Sequence, residues 1–95
     1  MIKHIVMFKL KDKNKKNIEK IVNALKTLEE NIDVLRSTEI GVNLTESERS
    51  SDIVLITEFD NRDALEAYGP HPKHAPVVKT VRSLCSGSVI VDYET

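Results

Sequence analysis

One cysteine, Cys85, is all the chain has, which excludes an internal disulfide and a cysteine-built structural zinc site. A reducing, cytoplasmic setting is expected. Long apolar runs are absent as well: the N-terminal stretch Ile5 to Phe8 is bracketed by Lys3 and Lys9 and is far too short for a signal-peptide core or a membrane span. The expectation is a soluble, unprocessed chain with no membrane partner. Neither sign of charge dominates, since 14 basic and 15 acidic residues are interspersed and leave a net charge of -1. That removes the electrostatic footprint that nucleic acid or an anionic membrane would require. Aromatics are few, namely Phe8, Phe59, Tyr68 and Tyr93, so a sheet that stacks RNA bases is not expected. The 95 residues are read as one domain, 1–95, whose short length limits the surface it can bury and makes a partner subunit useful.

What is present reads as strand, helix, strand, strand, helix, strand. In Ile2 to Leu10, the residues Ile2, His4, Val6, Phe8 and Leu10 share one face, and Lys3, Ile5, Met7 and Lys9 the other. The centre of this strand is apolar on both sides, which predicts a central, doubly covered strand. Asp12 or Asn14 can cap a helix whose stripe is Ile18, Ile21, Val22, Leu25 and Leu28, ending near Asn31. Val34 to Leu44 is a more polar strand, expected at the sheet edge, with Ile40, Val42 and Leu44 on one face and Gly41 marking a bulge or a close backbone approach. Thr45 to Asp52 reads as an exposed hairpin loop. Ile53 to Phe59 is a second central strand. Asp60 or Asn61 caps a short helix carrying Ala64, Leu65 and Tyr68, and Ser88 to Tyr93 is the last strand, with Val89, Val91 and Tyr93 opposite Ile90.

The stretch Tyr68-Gly69-Pro70-His71-Pro72-Lys73-His74-Ala75-Pro76 holds all three prolines and two of the three histidines. Gly69-Pro70 stops the preceding helix. Pro72 can open the next one, which is expected to end near Ser86-Gly87. Val77, Val78, Val81 and Cys85 follow His74 at helical spacing, so His74 should point inward from the first turn.

This order, with short connections, predicts an α+β, ferredoxin-like βαββαβ arrangement: a four-stranded antiparallel sheet with its helices on one face. The other face is then uncovered, and Ile5, Met7, Val54, Ile56 and Ile90 are assigned to it. At roughly 1.5 to 3 kcal/mol each, their burial is together worth about 10 kcal/mol, comparable with the whole stability of a small domain. A homodimer is therefore expected, its two sheets packed face to face through Ile5, Met7 and Ile90.

Ile2-Lys3-His4-Ile5-Val6-Met7-Phe8-Lys9-Leu10, Glu39-Ile40-Gly41-Val42-Asn43, Tyr68-Gly69-Pro70-His71-Pro72-Lys73-His74 and Val89-Ile90-Val91-Asp92-Tyr93 together resemble the stress-responsive A/B barrel (Dabb) family of dimeric α+β barrels. The His-Pro-x-His signature with its upstream tyrosine is the most specific piece. The resemblance implies a fold more than a reaction. In cyclase-type members, the histidine of the first strand, the tyrosine and the second histidine of the signature line a cavity and serve an aldol-type ring closure without cofactor; the matching residues here are His4, Tyr68 and His74. No metal and no cofactor are implied.

A histidine in that interlayer space is suited to taking a proton from carbon alpha to a carbonyl, and a tyrosine hydroxyl to bonding the developing enolate oxygen. The competing reading is structural: His74 bonded to local backbone, His4 and Tyr68 as core residues with satisfied polar tips. His71 is read as an exposed turn residue beside Pro72. Cys85 is read as a small core residue near the helix end. Three functions stay open at this point: a small-molecule-binding barrel with acid/base chemistry, a non-enzymatic stress-related oligomer, and a cofactor-free monooxygenase, the last disfavoured by the scarcity of aromatics.

Overall fold

The computed structural model describes residues 1–95. In chain order the elements are β1 (Ile2–Leu10), α1 (Lys15–Asn31), β2 (Leu35–Val42), β3 (Ile53–Phe59), α2 (Arg62–Tyr68), α3 (Ala75–Leu84) and β4 (Cys85–Glu94). The strands form one antiparallel sheet in the order β2-β3-β1-β4, the ferredoxin-like arrangement. β1 and β3 are central and β2 is an edge, as the apolar patterns require. No helix is long and apolar enough to cross a membrane.

Local chemistry sets the helix ends. Asn14 caps α1, its side-chain oxygen accepting from the Asn17 N–H at 2.9 Å. Asn61 does the same for α2, accepting from the Ala64 N–H at 2.9 Å. α1 buries Ile21, Leu25 and Leu28 against the sheet. From the sheet, Ile2, Val6, Phe8 and Leu10 of β1 meet Ile53, Leu55 and Phe59 of β3 in the same core. Thr57 fills the remaining inward position of β3.

Several boundaries differ from the sequence reading. α3 starts at Ala75 rather than Pro72, because the His74 N–H bonds back to the His71 carbonyl at 2.9 Å and holds Pro72 and Lys73 in a turn. Pro76 is the proline that occupies the first helical turn. Ser86-Gly87 is not a helix stop: Cys85 ends α3 and immediately begins β4, three residues before the expected strand. In β2 the register shift falls between Leu35 and Ser37, so Leu35, Thr38, Ile40 and Val42 can all oppose the inward residues of β3. Gly41 marks a close approach instead, since a Cβ there would lie 2.9 Å from Val54 Cγ1. Leu44 lies beyond the strand and is 99% exposed. Asp52 is not an exposed loop residue. It is buried, and its Oδ2 accepts from the Leu10 N–H at 2.8 Å.

The last strand brings the main correction. Its pairing puts Val6 opposite Ile90 and Met7 opposite Val89. Ile90 therefore belongs to the helix side of the sheet, and Val89, Val91 and Tyr93 lie on the open side with Ile5 and Met7. The strand's alternation was legible, but a period of two does not say which set faces inward. On the open side Met7 is 39%, Val91 49% and Val89 58% exposed.

Substituting Gly41→Ala should destabilise the protein by about 1–3 kcal/mol through overpacking against the stiff Val54 side chain. Urea denaturation of G41A, V54A and the double variant checks this. The double variant should recover most of the G41A loss, and purely additive effects would refute the contact.

Candidate active site

The cavity lies between the sheet and the helices α1 and α3. It has a volume of about 240 Å³, and ten of its fourteen lining residues are hydrophobic. Val6, Leu28, Leu55, Val77 and Val81 are among the apolar walls, so a ligand here would leave most of its water behind. His4, Tyr68 and His74 all line it, from β1, the end of α2 and the residue before α3. The three are scattered over seventy residues of sequence, and the fold brings them together.

Tyr68 is central to the group. Its ring lies 4.3 Å from that of His74, 6.2 Å from that of His4 in an edge-on arrangement, and 5.1 Å from that of Phe59, centroid to centroid. Only 3% of the residue is exposed. Burial pushes its pKa up to about 12, so the phenol stays neutral and able to donate across the physiological range.

Both histidines are held by one ring nitrogen. His74 Nδ1 lies 2.9 Å from the Gly69 carbonyl oxygen, which can only accept, so Nδ1 is the donor and, in the neutral ring, Nε2 holds the lone pair. The structural reading of His74, a local backbone bond at the helix start, is thus present in the molecule. That bond is also what defines the tautomer a general base needs. His4 Nδ1 donates to Asp92 Oδ1 across the β1–β4 pairing, which again leaves Nε2 free.

Asp92 was missed as part of this group. It appears in the sequence only as the acid of Val89-Ile90-Val91-Asp92-Tyr93, and the signal that could have found it is its alternation with Ile90. Both lie on the helix side, and Asp92 is directly opposite His4. His71 stands apart: its half-buried Nδ1 accepts from the Lys73 N–H at 3.0 Å and serves the turn. Cys85 is half-buried, and burial with the nearby Asp52 charge raises its pKa, so its thiol is not activated. No three His, Cys, Asp or Glu side chains converge as a metal-ligating cluster.

Residues 2–95 match the sequence pattern of the Stress Responsive A/B Barrel Domain. An uncharacterised protein of Streptomyces coelicolor is 33% identical over 97 residues, covering 99% of this chain and 99% of its own length. A solved dimeric protein of unknown function and ferredoxin-like fold from Bacteroides fragilis is 33% identical, with a TM-score of 0.82 over 99% of this chain and 95% of that one. A hydroxynitrile lyase from Passiflora edulis shares the fold with a TM-score of 0.84 at 15% identity, covering 97% of this chain and 90% of that one.

The raised Tyr68 pKa has a signed consequence for stability. In the unfolded chain Tyr68 ionises near pH 10, in the folded protein near 12, so between these values the unfolded state binds fewer protons and stability falls as pH rises. At pH 11 Tyr68 should account for a loss of about 1 kcal/mol relative to pH 8.5, and the fall should be smaller by that amount in Tyr68→Phe, which keeps the contribution of the raised Cys85 thiol. Urea denaturation of both proteins at the two pH values measures it; parallel profiles would contradict a desolvated phenol.

Proposed function

This chain belongs to the stress responsive A/B barrel domain family, and from that premise we propose that it is a homodimer whose protomers each carry a cofactor-free acid/base site for a small carbonyl compound. The observation that carries the catalytic part is the His74 Nδ1 bond to the Gly69 carbonyl, beside the tilted ring of Tyr68 at the cavity. An imidazole held through Nδ1, its Nε2 unbonded, sits next to a neutral phenol in a largely apolar cavity.

In the proposed reaction His74 Nε2 takes a proton from the carbon alpha to a carbonyl. The C–H electron pair moves into the C=C bond of an enolate, and the carbonyl π pair moves to oxygen. Tyr68 donates a hydrogen bond to that oxygen, where the negative charge develops. The enolate carbon then either takes a proton back on its opposite face, the His74 imidazolium or His4 supplying it, which isomerises the compound by epimerisation, or attacks a second carbonyl in the same molecule, giving ring closure. In the second case the alkoxide takes its proton from the His74 imidazolium. His4, oriented by Asp92, is the second proton-transfer group. The apolar walls keep water from protonating the enolate prematurely.

The dimer follows from the open side of the sheet. Ile5, Met7, Val54, Ile56, Val89, Val91 and Tyr93 make a continuous apolar surface there, and the Bacteroides fragilis relative is dimeric. An apolar face of this extent is normally covered. The non-enzymatic alternative, a barrel useful through self-association alone, draws on this same surface and predicts that only substitutions on it matter.

The catalytic reading is tested by deuterium exchange at carbon alpha of a small 1,3-dicarbonyl, followed by proton NMR. His74→Ala should lower the rate on the order of 10²–10⁴-fold while the circular dichroism spectrum is retained and melting stays cooperative. Equal exchange in variant and wild type would sink the assignment. For the dimer, Val91→Lys should shift the protein to a monomer in sedimentation equilibrium, an outcome that an unchanged dimer mass would contradict.

A further inference from the structure

Arg82 lines the same cavity, and nothing in the acid/base reading uses it. It also borders two adjoining hollows, one with Gly69, His74, Ala75, Val78 and Lys79, the other with Phe8, Val81, Cys85, Ser86, Gly87 and Ser88. None of the three contains a carboxylate. The ion pairs of the chain join His4 to Asp92, Lys13 to Glu46 and Asp52, and Arg36 to Asp60. Arg82, an exposed residue that lines the cavity, takes part in none of these pairs.

Two walls of the cavity measure how far Arg82 is from the acid/base group. Along α3, His74 and Arg82 are eight residues apart, which at the helical rise is about 12 Å. Along the sheet, His4 pairs with Asp92 and Phe8 with Ser88, four residues further on, or about 13 Å. Ser88 lines the cavity with Arg82. The strand and the helix thus agree on one elongated chamber. His4, Tyr68 and His74 stand at one end, Arg82 and Ser88 at the other, and apolar side chains such as Val6, Val77 and Val78 lie between.

We infer that the ligand is a carboxylate with an apolar chain: its carboxylate is held by Arg82 and the Ser88 hydroxyl, and its carbonyl reaches the histidine and tyrosine end. A guanidinium presents two parallel N–H groups to a carboxylate, a geometry that fits a monoanionic head better than a neutral one. The inference rests on the cavity being the ligand site, and it adds the substrate class, a medium-chain oxo acid.

The test is an NMR titration of the full chain with octanoate and with 2-octanone, two probes of similar length that differ in the head group. In the wild type both should perturb the His4 and His74 ring resonances. Arg82→Gln should weaken octanoate on the order of tenfold and leave 2-octanone within about twofold. Octanoate affinity unchanged in R82Q would overturn the inference while leaving the cavity as a binding site. Equal weakening of both probes would overturn it too, since the arginine stem would then serve as packing alone. If neither probe moves the histidine resonances of the wild type, the cavity reading fails and this inference with it.

Discussion

The register in which β1 pairs with its two neighbours is the constraint on which the rest depends. With Ile2 opposite both Phe59 and Glu94, alternate residues Ile2, His4, Val6, Phe8 and Leu10 face the helices. A slip of one residue would turn Met7 inward and carry His4 to the open side. The hydrophobic effect forbids that slip, because it would expose four core side chains at roughly 1.5 to 3 kcal/mol each. His4 is therefore delivered to the cavity by the packing of its apolar neighbours, and the same pairing sets Asp92 beside it.

The second organising feature is the break in the helical layer between α2 and α3. A single long helix would have buried its backbone carbonyls in its own ladder. The Gly69-Pro70 interruption frees the Gly69 carbonyl to accept from His74 Nδ1. Tyr68, last residue of α2, is anchored on Phe59 and meets the His74 ring at a tilt, so the interruption is spanned by aromatic contact. Buried polar groups are costly unless bonded. Here the bonds that satisfy the histidines also choose their tautomers.

Much of this was legible in the chain. Period-two patterns located β1 and β3, and their two-sided apolar character placed both at the sheet centre. Period-3.6 patterns located α1 and the inward stripe of α3. The family-specific Tyr68, His74 and His4 pointed to one cavity before any geometry was available. What stayed hidden was relational. Ile90 and Val89 are adjacent, similar in hydrophobicity and similar in strand preference, so only the pairing with β1 could say which faced the helices. Asp92 gained its meaning the same way, as did the bulge that reverses the alternation in β2. Asp52 looked like one more polar residue of a loop, and its burial depends on a bond to the distant Leu10 N–H.

The division has a physical cause. Element type, helix caps and the amphipathic stripes follow from interactions between residues a few positions apart, and these are written in the sequence. So is the need to cover a second apolar sheet face, because it depends only on how many large apolar side chains the strands carry. Which face of β4 meets the helices, where α3 begins after its prolines, how His4, Tyr68, His74 and Arg82 share one chamber, and how Asp92 meets His4 are set by contacts between residues far apart in the chain. Those contacts exist only once strand register and helix packing are chosen together, so only the tertiary structure could decide them.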